Sequence, residues 1–210
     1  YVEIGREHIP VDTPYIVAMK HQSAYETLKL PILFARPIVI LKRELLMIPL
    51  WGWYAAKAGN VGINRGNPRA ALDQMLDAVK SAVLMGRTPV IFPQGTRVSL
   101  HETPTEKPYK RGIYEMYQTS NVPVVPVAVN SGVFWPRRAF LKRGGCVTFQ
   151  YLPAIPPGLD RMTFMSKLQD QIEGASIALV DQAQKIKNAR VEGAVQSSYF
   201  FLHHISFSYR

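Results

Sequence analysis

Apolar residues in this chain gather in short runs that are hydrophobic at consecutive positions rather than at every second one. Such runs mark strands buried on both faces of a sheet. They cover residues 15–19, 38–41, 61–64, 89–92, 122–129 and 146–151. Between them the period lengthens to that of a helix. The clearest case opens with Asn67 as N-cap and Pro68 at the first helical position, carries Leu72, Met75, Leu76, Val79 and Val83 on one face, and stops at Gly86. A longer helical segment is predicted over 161–187. Interleaved strands and helices give an α/β class with a mixed, largely parallel sheet flanked by helices. No internal repeat or Gly/Ser-rich linker divides the chain, so a single domain over 1–210 is expected. The segment 197–210 is rich in aromatics and reads as irregular.

Within this pattern no apolar run reaches the roughly 18–20 residues of a spanning helix. The nearest, 45–58, is broken by Pro49, Gly52 and Lys57. Composition is that of a folded chain, 47% hydrophobic and 19% charged, which excludes a disordered or low-complexity protein. The formal net charge of +10 changes the picture more. It points to anionic partners: nucleic acid, phosphorylated metabolites or anionic lipid headgroups. A lone cysteine, Cys146, excludes an internal disulfide framework and favours a reducing compartment. The histidines show no zinc-ligand spacing with it, so no metal is expected.

Candidate chemistry begins at Met19-Lys20-His21-Gln22-Ser23-Ala24-Tyr25-Glu26, where a strand gives way to a helix. Five helical steps leave two side chains about 140° apart, so His21 and Glu26 meet only if His21 lies in the loop and Glu26 in the first turn. Glu26 then accepts a hydrogen bond from one ring nitrogen, and the other takes a proton from an attacking hydroxyl. The competing reading is a capping box, in which Glu26 serves the amide of Ser23. Both remain open on the segment alone.

A second group of signals is cationic. Phe92-Pro93-Gln94-Gly95-Thr96-Arg97 follows a strand, and its Pro and Gly build a tight turn at the strand's carboxyl end, where open α/β sheets bind ligands. Arg97 is thereby suited to bidentate phosphate binding. Arg65, Lys42 with Arg43, and Lys110 with Arg111 also stand at strand ends or in loops. Together they read as an anion-binding rim.

In order and spacing these segments resemble the sequence blocks of the 1-acylglycerol-3-phosphate (lysophosphatidic acid) acyltransferase family. His21 and Glu26 match the first block, Leu41-Lys42-Arg43-Glu44-Leu45 the lysine-bearing segment after it, and Gly59 with Arg65 the second. The third block matches at 92–97, and Val122-Pro123-Val124-Val125-Pro126 matches the fourth. Two positions depart from the family pattern: its usual Asp is Glu26 here, and the usual Glu of the third block is Gln94.

The resemblance implies a glycerolipid acyltransferase-like fold. It also implies an acyl transfer from acyl-CoA or acyl-carrier protein to the free hydroxyl of lysophosphatidate, with no cofactor and no acyl-enzyme. His21 would be the base and Glu26 its partner. Arg65, Arg97 and Lys42, with Gln94, Gly95 and Thr96 of the third block, would hold the phosphate. Long-tailed substrates imply a membrane surface. With the reducing compartment, the site is expected on the cytoplasmic side, and an anchoring segment is expected before Tyr1. Two docking segments offer themselves: Trp51-Gly52-Trp53-Tyr54, and residues 134–143, where Arg137, Arg138, Lys142 and Arg143 alternate with apolar side chains.

Three other readings stand beside this one. They are a basic nucleic-acid-binding protein, which lacks any recognition signature and leaves the ordered blocks unexplained; a lipid-binding homologue without catalysis; and an acyltransferase for another lysolipid.

Overall fold

The computed structural model of the chain describes residues 1–64 and 66–205, with side chains described up to residue 189. Seven strands form one sheet: β1 (Val2–Ile4), β2 (Ile16–Met19), β3 (Pro37–Lys42), β4 (Val61–Ile63), β5 (Thr88–Ile91), β6 (Val124–Val129) and β7 (Thr148–Tyr151), in the order β1-β7-β6-β2-β5-β3-β4. Every neighbouring pair is parallel except β6 with β7. The expected class and each expected strand are present, with ends shifted by a residue or two. β1 is the addition. It is a three-residue edge strand with Val2 and Ile4 half-exposed, too short and too exposed to leave a pattern.

The central strands β2, β5 and β6 are buried throughout, which is why their sequences do not alternate. Successive side chains go to opposite faces. Val17 and Met19 join Val90, Val125, Val127 and Phe149 under α1 (Tyr25–Leu33), whereas Ile16 and Ala18 join Ile91 and Val124. The second group packs against α3 (Pro68–Leu84), through Val79, and α4 (Gly112–Ser120), through Ile113 and Met116. The Asn67 side chain accepts the Ala70 amide at 3.2 Å, the cap predicted for α3. Between β3 and β4 lie a 3-10 turn (Arg43–Met47) and α2 (Trp51–Lys57); α5 (Ser131–Phe134) is one turn after β6.

α6 (Arg161–Ile205) runs against β6, burying Phe164, Leu168, Ile172, Leu179 and Val180. It passes the predicted end at residue 187 and carries the helical backbone into the segment read as irregular. The apolar period that marked the helix fades there, while residues of adequate helix propensity continue. Residues 206–210 lie outside the described part. Among the described residues no helix is long and apolar enough to cross a membrane.

Candidate active site

Because β2, β3, β5 and β6 run parallel, their carboxyl ends open on one edge of the sheet. There β2 delivers Lys20 and His21, β3 ends on Lys42, β5 leads into residues 92–97, and β6 leads into Asn130 and Ser131. A cavity of about 920 Å³ lies at this edge. His21, Lys42, Gly95, Thr96, Arg97, Lys110 and Arg137 all line it. Apart from Thr27 its remaining wall is apolar, including Leu41, Leu45 and Ile48, Trp51 of α2, Leu72 and Met75 of α3, and Ile113 and Met116 of α4.

The imidazole of His21 stacks on the ring of Phe92, centroids 3.9 Å apart. Its carbonyl accepts the Val98 amide at 2.8 Å, which ties the turn after β2 to the turn after β5. Burial, with the positive charges of Arg97 and then Arg137, pushes the ring's pKa from 6.5 down to about 3. The ring is therefore neutral at ordinary pH, the form that accepts a proton. Nδ1 is buried with no hydrogen-bond partner among the described residues.

Glu26 is fully buried in the first turn of α1, but its carboxylate is engaged by the backbone. Oε1 accepts the Gln22 amide at 2.7 Å and the Ser131 hydroxyl at 2.7 Å, and both oxygens accept the Ser23 amide at 3.0 Å. The local capping arrangement foreseen for Ser23 and Glu26 is thus present, and the expected bond from Glu26 to the ring is not. The carboxylate reaches back along the chain to the two amides that follow His21 and stops short of the ring. Burial raises the Glu26 carboxyl to about 7, against the hydrogen bonds from Ser131, Gln22 and Ser23, which favour ionisation.

The other flank of the turn is pinned by Lys20. Its ammonium, 3% exposed, bonds both carboxylate oxygens of Glu173 on α6 at 2.7 and 2.8 Å. The Tyr109 hydroxyl donates to the same carboxylate at 2.8 Å. Sequence reasoning missed Glu173, Tyr109 and Ser131, because their partners lie 64 to 153 residues away. The only local signal was a lysine ending an apolar strand.

Following β5, Gly95 donates its amide to the Phe92 carbonyl at 2.8 Å with φ at +67°, a conformation that favours glycine. This turn places Thr96 and Arg97 on the cavity. Gln94 points elsewhere. It is 3% exposed, its amide nitrogen donates to the Lys107 carbonyl at 3.0 Å, and it does not line the cavity. A glutamate, having no donor, could not make that bond. Of the expected cationic rim, Lys42, Arg97 and Lys110 share the cavity and Arg43 and Arg111 do not. Arg65 lies outside the described residues. Among the described residues no cluster of three or more His, Cys, Asp or Glu is arranged to hold a metal ion.

The segment 134–143, expected to dock outward as a whole, splits. Phe134 is buried, Trp135 is half-buried, and Arg137 turns into the cavity, its Nη1 donating to the Arg97 carbonyl at 2.8 Å. Arg138, Phe140, Leu141, Lys142 and Arg143 stay exposed. The inward turn follows from α5, which folds Phe134 onto the core beneath Tyr25 and Trp135.

Comparison with known proteins places this geometry. The acyltransferase family model matches residues 2–130, which hold the strands and turns that build the cavity apart from Arg137. A 1-acyl-sn-glycerol-3-phosphate acyltransferase of Pseudomonas aeruginosa is 33% identical over 151 residues, covering 72% of this chain and 57% of that protein. The Saccharomyces cerevisiae protein of the same name is 28% identical over 178 residues, 80% of this chain and 57% of its own length. The chain thus spans just over half the length of these relatives. In fold it is similar to the crystal structure of the 1-acyl-sn-glycerophosphate acyltransferase PlsC from Thermotoga maritima. The TM-score is 0.65 at 21% identity, over 89% of this chain and 72% of that one. With the family model covering more than half its residues, and the motif histidine and arginine lining one cavity, the chain belongs to the acyltransferase family.

Proposed function

We propose that the chain transfers a fatty acyl group from a thioester, acyl-CoA or acyl-carrier protein, to the free hydroxyl of 1-acylglycerol-3-phosphate, giving phosphatidate. The observation that carries this reading is the meeting of a neutral, half-buried His21 with Arg97 and Thr96 in a cavity that also offers a long apolar wall. The cations suit a phosphate and the wall suits an acyl chain. The relatives' names point to the same acceptor.

In this reading Arg97, with Lys42, holds the acceptor's phosphate and so fixes the hydroxyl near His21. His21 takes the hydroxyl proton as the oxygen attacks the thioester carbonyl; the C–S bond breaks and the thiolate leaves with a proton returned from His21. Burial does most to hold the imidazole's pKa down and the arginines add to it; the phosphate dianion offsets the arginine part, so substrate binding moves the base upward. The reading needs no covalent acyl-enzyme and no cofactor; Cys146, exposed and off the cavity lining, has no part in it.

The substrates' tails call for a membrane surface. Met47, Leu50, Trp53 and Tyr54 are each at least 65% exposed. They flank Ile48 and Trp51 of the cavity wall, so an apolar, aromatic rim borders the entrance. We place that rim on the cytoplasmic leaflet, in keeping with a free thiol and a positive net charge. The activity is tested by acyl release from acyl-CoA and from acyl-carrier protein with lysophosphatidate. His21→Ala should lose about 10²–10⁴-fold in turnover while circular dichroism stays unchanged; near-normal transfer by that variant would refute the assignment.

A further inference from the structure

Arg137 stands outside the residues matched by the family model and outside every motif block, yet it enters the cavity. One of its nitrogens is anchored on the carbonyl of Arg97 at 2.8 Å. That bond fixes the guanidinium beside its neighbour's turn and leaves its other N–H groups to the cavity. Among the described residues no carboxylate lies within ion-pair distance of either Arg137 or Arg97. Glu102, the acidic group that feels Arg137, is taken by the Ser99 amide at 2.7 Å and by Lys107 at 3.7 Å. Gln94, where the family pattern has an acid, brings no charge. Two arginines that line one half-buried wall with Thr96, neither within ion-pair distance of a carboxylate among the described residues, form a site for more than one negative charge.

We propose that Arg137 is the second guanidinium of the acceptor-phosphate cradle and selects a phosphomonoester dianion over a phosphodiester. The inference rests on the acyl-acceptor reading above and sharpens it. A phosphomonoester carries about −1.5 to −2 charges at neutral pH and presents three oxygens. A phosphodiester carries one charge, which Arg97 and Lys42 can meet without Arg137.

The test pairs transfer with equilibrium binding. Arg137→Ala should raise KM for lysophosphatidate by roughly tenfold or more, with a smaller change in kcat and little change toward lysophosphatidylglycerol. Arg137→Gln can still donate to the Arg97 carbonyl but has no charge, and should behave like the alanine variant; Arg137→Lys should recover part of the preference. Unchanged thermal midpoints separate these effects from misfolding. Calorimetric titration with a short-chain lysophosphatidate reads the same residue without chemistry. Arg137-dependent binding by a wild-type protein that transfers nothing would uphold the cradle and overturn the activity. Full discrimination retained by the glutamine variant, or equal binding by wild type and Arg137→Ala, would overturn the inference even with transfer intact.

Discussion

The turn after β2 and the turn after β5 face the same cavity but are held by opposite means. The first is fixed by two carboxylates, the buried Glu26 on the amides of Gln22 and Ser23 and the half-buried Glu173 on Lys20. The second is fixed by neutral amides on main-chain carbonyls: Gly95 N–H on Phe92, Lys110 N–H on Pro93, and the Gln94 side-chain amide on Lys107. The difference follows from what each turn presents. His21 has to stay neutral, so the acids beside it are spent on amides and on an ammonium rather than on the ring. Arg97 has to keep its charge for a ligand, so no acid is placed beside it. Carboxylates do the positioning where a base is needed, and neutral amide hydrogen bonds do it where a cation is needed.

Removing Glu26 should expose this contrast most. Glu26→Ala strands three buried donors, each costing about 1–3 kcal/mol when unpaired. Stability should fall by several times RT, and transfer with it, because the backbone carrying His21 is released. Thermal unfolding read beside activity sharpens the point: a ring-orienting Glu26 would instead cost turnover at unchanged stability. Next in size is Gln94→Glu, which sets a buried carboxylate against the Lys107 carbonyl. A loss of about 1–3 kcal/mol is expected in denaturant titration. A stable variant with improved phosphate affinity would show that position 94 serves Arg97 after all. The smallest effect belongs to the exposed rim. Trp53→Ala with Tyr54→Ala should leave stability within about 0.5 kcal/mol, since exposed side chains carry little of the fold. Flotation with anionic liposomes should drop, and unchanged flotation would remove this rim as the docking surface.

Much of the frame could be read from periodicity because buried parallel strands leave unbroken apolar runs and a capped helix leaves Asn67-Pro68 at its start. The residues around the cavity that follow strands, His21, Lys42 and Arg97, were legible for the same reason: a strand's end fixes where its next residue goes. What was not legible depends on partners distant in sequence. Glu26 looked like a partner for the ring until Ser131, 105 residues on, closed its hydrogen-bonding shell. Arg137 looked like a membrane contact because four cations among aromatics resemble an interfacial segment. Only the one-turn α5 shows that the chain bends inward there. Lys20 gave no hint of Glu173, since a helix more than a hundred residues away supplies the charge.

The two titrating groups of the first turn also pull stability in opposite directions. His21, with its folded pKa below the unfolded value, contributes stability that is present above pH 6.5 and lost as pH falls toward 3. Glu26, with its folded pKa above the unfolded value, contributes stability that is present below 4.5 and lost as pH rises through 7. Between pH 5 and pH 7 the His21 rise of about 2 kcal/mol is offset by a fall of similar size from Glu26, so His21→Gln should turn a nearly flat stability profile into one that falls by about 2 kcal/mol.

The central claim is that His21 is a neutral base, held by its backbone and kept uncharged by burial and two arginines. Nuclear magnetic resonance of the His21 ring across a pH titration, without and with saturating lysophosphatidate, tests it most directly. The account predicts a ring that stays neutral from pH 8 to below pH 5 in the free protein and whose pKa moves upward when the phosphate is bound. A ring that titrates near 6.5 in the free protein and is unmoved by ligand would contradict it.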